Sequence, residues 1–138
     1  MICPLNARAI ALLYKLLIKY DKIMELQPRE IRRYIRPDGR IPFLEWYYAL
    51  RDGKAQVKVD ARLERVSLGN LGDYKSVGDG VCELRINYGP GYRIYFRQIG
   101  ATIVLLLCSG DKSTQEQDIL KAKEYSADYE RNENAYQR

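Results

Sequence analysis

Val81-Cys-Glu-Leu-Arg-Ile-Asn87, Tyr88-Gly-Pro-Gly-Tyr92 and Arg93-Ile-Tyr-Phe-Arg97 follow one another without a break, and their alternation decides the fold of this 138-residue chain. Successive side chains of a β-strand point to opposite faces, so Cys82, Leu84 and Ile86 share one face while Glu83, Arg85 and Asn87 share the other. Past the Gly-Pro-Gly turn, Tyr92, Ile94 and Phe96 alternate with Arg93, Tyr95 and Arg97 in the same way. The stretch reads as a hairpin with one apolar and one cationic face. A slip of one residue would carry Arg85 and Arg93 to opposite sides of the sheet, so the turn needs an odd number of residues. A loop centred on Gly89 pairs Arg85 with Arg93, and one centred on Pro90 sets Arg85 across from Tyr95 and diagonal to Arg93. In either register Glu83 and two guanidiniums share one patch. Taken alone, such a patch is equally an ordinary solvated sheet face.

The flanking segments add to it. Thr102 to Cys108 is apolar at nearly every position, the pattern of a central strand, and runs into Gly110-Asp111-Lys112, which places Lys112 at a strand end beside the same sheet. Upstream, the glycine-rich turn Gly69-Asn70-Leu71-Gly72-Asp73 leads to Lys75 on a short edge segment. Four cations, Lys75, Arg85, Arg93 and Lys112, and one acid, Glu83, are thereby expected on one surface.

Further upstream, Arg29 to Arg36 suits an edge strand, and Pro42 opens a helix with Phe43, Trp46, Tyr47 and Leu50 on one stripe. Asp52 caps a second helix whose inner face is Val59, Leu63 and Val66, and Gly69 stops it. Ser113 with Glu116 has the capping-box spacing for a last helix, with Ile119 and Ala122 inward and a polar tail beyond Asp128. The length supports one domain at residues 24–138, able to fold without a metal or a disulfide.

Cys3, Cys82 and Cys108 lack metal-ligand spacing and cannot all pair, which reads as free thiols in a reducing, cytoplasmic setting. The chain has no histidine, so histidine-based nuclease mechanisms are excluded, and no metal or cofactor is expected. Its net charge of +5 is uneven: residues 1–36 carry eight Lys and Arg against three Asp and Glu, and residues 37–138 carry fifteen of each. Affinity for nucleic acid would then rest on where the charges sit rather than on their sum. Residues 1–23 form an extension. Ala9 to Tyr14 and Leu16 to Ile18 are apolar but broken by Lys15 and Lys19, too short for a membrane span, and no secretory cleavage site follows. Either Met24 is the biological start or the extension is an added amphipathic helix, and no membrane partner is expected.

Leu68-Gly-Asn-Leu-Gly-Asp73, Lys75-Ser-Val-Gly78, Gly80-Val-Cys-Glu-Leu-Arg85, Tyr88-Gly-Pro-Gly-Tyr-Arg93 with Tyr95-Phe96, and Gly110-Asp-Lys-Ser-Thr-Gln115 resemble the addiction-module killer proteins, the HigB-like branch of the RelE/ParE toxin superfamily. The likeness runs from about Glu30 to Tyr129. It implies an α+β fold, a small antiparallel-rich twisted sheet with two N-terminal helices at one side and a C-terminal helix. It also implies a toxin silenced by an antitoxin, commonly a helix-turn-helix protein encoded next door. Most RelE-like members cut messenger RNA on the ribosome, ParE-like members poison DNA gyrase, and an inactive homologue would only bind its antitoxin and repress its operon.

Carried over residue by residue, the resemblance assigns Arg93 first, then Arg85 and Lys112. RNA cleavage needs a proton taken from the 2′-hydroxyl, charge stabilised on five-coordinate phosphorus and a proton given to the 5′-oxygen. The expected roles are Glu83 as base, Arg85 and Arg93 as clamp, and Lys112 as phosphate holder or proton donor. Glu83 departs from RelE itself, which has lysines along this strand, although other toxins of the superfamily use a glutamate base. Lys75, Arg97, Tyr95 and Tyr125 are the expected nucleic-acid contacts, the tyrosines by stacking on a base. The expected enzyme is a metal-independent endoribonuclease acting with the ribosome.

Overall fold

A computed structural model describes residues 6–24 and 27–136. Cys3 lies outside the described residues. The elements run α1 Ala7–Met24, β1 Glu30–Arg33, α2 Pro42–Ala49, α3 Gly53–Ser67, β2 Tyr74–Gly78, β3 Val81–Ile86, β4 Tyr92–Ile99, β5 Ile103–Asp111, a single 3-10 turn Lys112–Thr114, and α4 Gln115–Tyr136. The chain is α+β. One five-stranded sheet has the order β1-β5-β4-β3-β2, and it is mixed because β1 runs parallel to β5 while the other neighbours are antiparallel.

The hairpin forms around Gly89: Ile86 faces Tyr92, Leu84 faces Ile94 and Arg85 faces Arg93. The register centred on Pro90 is not adopted. One sheet face carries Leu84, Ile86, Tyr92, Ile94, Phe96, Val104 and Leu106 into a core with Phe43 of α2 and Ala55, Val59 and Val66 of α3. Leu84, Ile94 and Phe96 are completely buried there, each contributing about 1.5–3 kcal/mol by removal from water. Asp52 caps α3 by accepting from the Lys54 amide at 2.9 Å, and the helix ends just before Gly69. Pro42 stands at the first turn of α2.

The opposite face departs from the solvated surface that its polar alternation suggests. It builds a second core from Tyr34, Val81, Tyr95, Leu105, Leu107, Cys108 and Ala122, with Ile119, Tyr125 and Tyr129 of α4 packed on it. A bulge helps: Tyr95 pairs with Cys108 and Phe96 with Leu106, so Leu107 is extra and both Leu107 and Cys108 reach this core. Tyr34 donates a hydrogen bond from its hydroxyl to Asp128, and Lys123 meets Asp79 at 3.5 Å, fixing α4 across the strands. The start of α4 is capped differently from expectation. Asp111 accepts from the Ser113 amide and forms a capping box with Thr114, so the box sits two residues before the Ser113–Glu116 spacing and belongs to the 3-10 turn. The Ser113 hydroxyl, which also donates to Asp111, and then these amide bonds hold the Asp111 carboxyl below its ordinary range.

Cys82 is half-buried and Cys108 buried, both as free thiols. The extension is helical as α1, with Asn6 accepting from the Ala9 amide at its start. Among the described residues no helix is long and apolar enough to cross a membrane.

Candidate functional site

The cationic face converges on Glu83. Strand β3 sets its carboxylate on the α4 side of the sheet, where its side chain is 0% exposed. The Nε atoms of Arg85 and Arg93 both approach its Oε1 to 3.6 Å, from positions that face each other across β3 and β4. From the first turn of α4, Gln115 Nε2 donates to Glu83 Oε2 at 2.8 Å. The arrangement is an ion-paired trio locked from above by an amide.

The pairing leaves hydrogen-bonding capacity unused. Glu83 Oε1 and both Nε atoms have no hydrogen-bond partner, 3.6 Å being an ion-pair distance but too long for a bond. Two guanidiniums against one carboxylate leave the trio cationic. A buried carboxylate on its own would be costly, and the flanking charges offset that cost. Side-chain exposure of 35% for Arg85 and 10% for Arg93 makes Arg85 the more open of the two.

Lys112 joins through Gly91. That glycine has φ +82°, and a Cβ on it would sit 3.4 Å from Arg93 Nη1 and 3.6 Å from Lys112 Cβ. Those are ordinary contact distances, so it is the left-handed backbone that calls for glycine here, and the turn lies against both cations. Arg93 Nη1 also donates to the Tyr92 carbonyl at 3.1 Å, which fixes the fork beside the turn. Lys112 is exposed and forms no ion pair among the described residues. It borders a shallow hollow of about 390 Å³ with Ser113, Thr114 and Gln115. Lys75 faces Glu83 across β2 and β3, exposed at the edge of the sheet on the same face.

The remaining expected contacts lie apart. Arg97 donates to the carbonyl and hydroxyl of Ser126 at 3.2 Å each and pairs with Glu130 at 3.4 Å, so it ties β4 to the middle of α4. Tyr95 is completely buried opposite Glu83, and no face of its ring is open for stacking. Burial, and then the charge of Glu83, push its phenol well above the ordinary value, while its hydroxyl meets no partner at hydrogen-bond geometry. Tyr125 stacks on Tyr34 at 5.0 Å between ring centres and lines a different cleft with Arg36, Arg40, Trp46 and Lys121. A larger hollow of about 630 Å³, between Arg33–Ile35 and Tyr129–Glu133, also lies away from the trio.

Two supporting side chains escape a reading of the sequence. Gln115 closes the trio, and the only signal for it is its place at the end of the Gly110-to-Gln115 block. Arg62 of α3 donates to the carbonyls of Arg85 at 3.1 Å, Leu71 at 3.1 Å and Asp73 at 2.7 Å, fixing the end of β3 from which Arg85 projects. Its burial lowers its pKa. Nothing local in the sequence marks it. Below the site, Asp118 is held by the Thr114 hydroxyl and raised by burial, and Gly110 makes room for it, since a Cβ there would lie 1.9 Å from Asp118 Oδ2.

Among the described residues no group of acids, cysteines or histidines is placed to hold a metal ion. What remains is a cationic shelf in which Arg93 is mostly buried, Arg85 is about one third exposed, and Lys75 and Lys112 are exposed at its margins. Such a shelf can take phosphate oxygens from a long polymer.

No protein-family model matches the chain. Over 83 residues it is 48% identical to an uncharacterized protein of Haemophilus influenzae, an alignment that covers 60% of this chain and 84% of that protein.

Proposed function

We infer the function from the cluster itself, since the chain belongs to the same family as that Haemophilus influenzae protein, whose description names no activity. The reading is a toxin of a type II toxin–antitoxin pair, of the HigB-like branch of the RelE/ParE superfamily, acting as a metal-independent endoribonuclease on messenger RNA held by the ribosome. One observation carries it: Arg85 and Arg93 stand side by side over the sealed Glu83, with Lys112 beside Arg93. The finer fold expectation is supported by α2 and α3 sharing one sheet face while α4 lies on the other.

In this reading the 2′-oxygen attacks phosphorus, the P–O5′ bond breaks, and a 2′,3′-cyclic phosphate and a 5′-hydroxyl result. Arg85 and Arg93 hold the non-bridging oxygens, using fork donors that suit a bidentate phosphate contact. Lys112 supplies the proton to the departing 5′-oxygen. Glu83 orients both guanidiniums while they cover it. A phosphate that draws them outward uncovers Oε1, and the carboxylate then takes the 2′-hydroxyl proton. Catalytic equipment this spare suits a substrate already aligned by the ribosome, so free RNA is a poor substrate. The partners that go with this reading are the ribosome, its message and a helix-turn-helix antitoxin encoded next door.

The test is induction of the chain in bacterial cells, followed by primer extension on abundant messages. New 5′ ends inside open reading frames, with translation stopping first, are expected. A DNA-damage response preceding any loss of translation would replace this reading with the gyrase poison. Neither effect, with antitoxin binding intact, would leave only operon repression.

A further inference from the structure

Helix α1 is built unlike the rest of the molecule. Ile10, Leu12, Leu13, Tyr14, Leu16, Leu17 and Ile18 are between 47% and 65% exposed, and among the described residues α1 belongs to none of the extensively packed pairs of elements. Such a run of exposed aliphatics on one helix is costly in water and marks a surface that meets something. Two features of the helix say what.

The first is charge. The helix carries one acid, Asp21, beside Lys22 near its end, and the three cations of residues 7–19 are Arg8, Lys15 and Lys19. At 100° per residue these fall within about 40° of one another, a single narrow stripe along the helix. The second is the width of the apolar surface. From Leu12 through Leu16, Leu13, Leu17, Ile10 and Tyr14 to Ile18, large apolar side chains cover about 240° of the circumference. Pairing with a second helix covers a stripe of only about 100°, and a two-stranded seam less. A second copy of α1 would leave more than half of that surface wet.

We propose that α1 lies in the surface of an anionic lipid bilayer, its apolar arc sunk among the acyl chains and Arg8, Lys15 and Lys19 level with the phosphates. A bilayer interface covers a wide arc at once, and α1, with four cations against the single acid Asp21, gains from its negative surface potential. The helix lies on the membrane and does not span it, consistent with its length and its broken hydropathy. This departs from the expectation that the chain has no membrane partner. It is independent of the proposed activity, because α1 contributes no residue to the Glu83 trio.

The experiment is flotation of the full chain with vesicles of phosphatidylcholine alone and with about one third phosphatidylglycerol, in low and high salt. Flotation with the anionic vesicles and little with the neutral ones is expected, weakening as salt rises. Leu13→Asp with Leu17→Asp should lower the bound fraction about tenfold, and Lys15→Glu with Lys19→Glu should remove the preference for anionic lipid. Both variants should melt at the parent temperature, since α1 packs on neither core. No flotation on either vesicle, or flotation indifferent to both pairs of substitutions, would overturn the proposal. So would a concentration-dependent dimer in sedimentation that the leucine changes abolish while vesicle binding is absent, which would make a second copy the occupant.

Discussion

The two faces of one sheet are buried to similar depth by different means. On the α2–α3 side, Leu84, Ile94 and Phe96 meet other apolar side chains and need only shape. On the α4 side, Glu83, Arg93 and Tyr95 are equally hidden, yet bring charges and a phenol that must be answered by partners. The first face stabilises the fold cheaply. The second accepts buried charge and unpaired donors beside a surface, and it is these donors that the proposed function offers to a phosphate.

Mutation can break this contrast or sharpen it. Phe96→Ala should cost about 3–5 kcal/mol in urea unfolding, through lost burial and a cavity, while leaving the reaction of the folded fraction unchanged. Glu83→Ala should cost about as much on the other face, because two guanidiniums lose their shared counter-charge. The sharper version replaces Glu83, Arg85 and Arg93 together by apolar residues of similar size. Stability should then match or exceed the parent while messages stay intact on induction, and a large loss of stability would show that the trio is structural after all. Arg93→Ala alone should lower cleavage by about 100-fold or more with a modest change in melting, and undiminished cleavage would refute the assigned role. Gln115→Ala removes one hydrogen bond to the carboxylate, for about 1 kcal/mol in unfolding and a few-fold in cleavage.

A further effect is confined to high pH. Burial pushes the Cys108 thiol up to about 12, against an ordinary value of 9.0. Above about pH 9 the unfolded chain releases a thiol proton that the folded chain keeps, so stability should fall as pH rises towards 12. Cys108→Ala should flatten that part of a melting-temperature profile, and native Cys108 should resist thiol reagents that label it once the chain is unfolded.

Much of this architecture was legible in the residues because it is local. Period-two alternation sets the hairpin, the apolar run from Thr102 marks β5, and the stripes through Phe43–Tyr47 and Val59–Val66 mark α2 and α3. The parity of the turn put Arg85 and Arg93 on one face but left two registers open, and only the fold selects the one centred on Gly89 in which they face each other. What stayed hidden depends on distant partners. Residue types such as Glu83 and Arg93 read as solvent-facing, and only α4 folding back over the sheet buries them. Tyr95 and Arg97 alternate in phase with Arg93, which says which face they share but not that α4 sits on it. The Gln115–Glu83 bond and the Arg62 tether link positions far apart in sequence, and no periodicity encodes them.

The parallel pairing of Glu30–Arg33 with Ile103–Leu106 has a consequence for the order of events during synthesis. A strand made early must wait, with no strand neighbour on either side, for a partner made near the end, and Lys112 and Gln115 arrive later still. A truncated product therefore has an open sheet and an incomplete cationic shelf at once. Translation that halts early yields a fragment that lacks β5, Lys112 and Gln115 together, so the shelf assembles only when the polypeptide has been made past them.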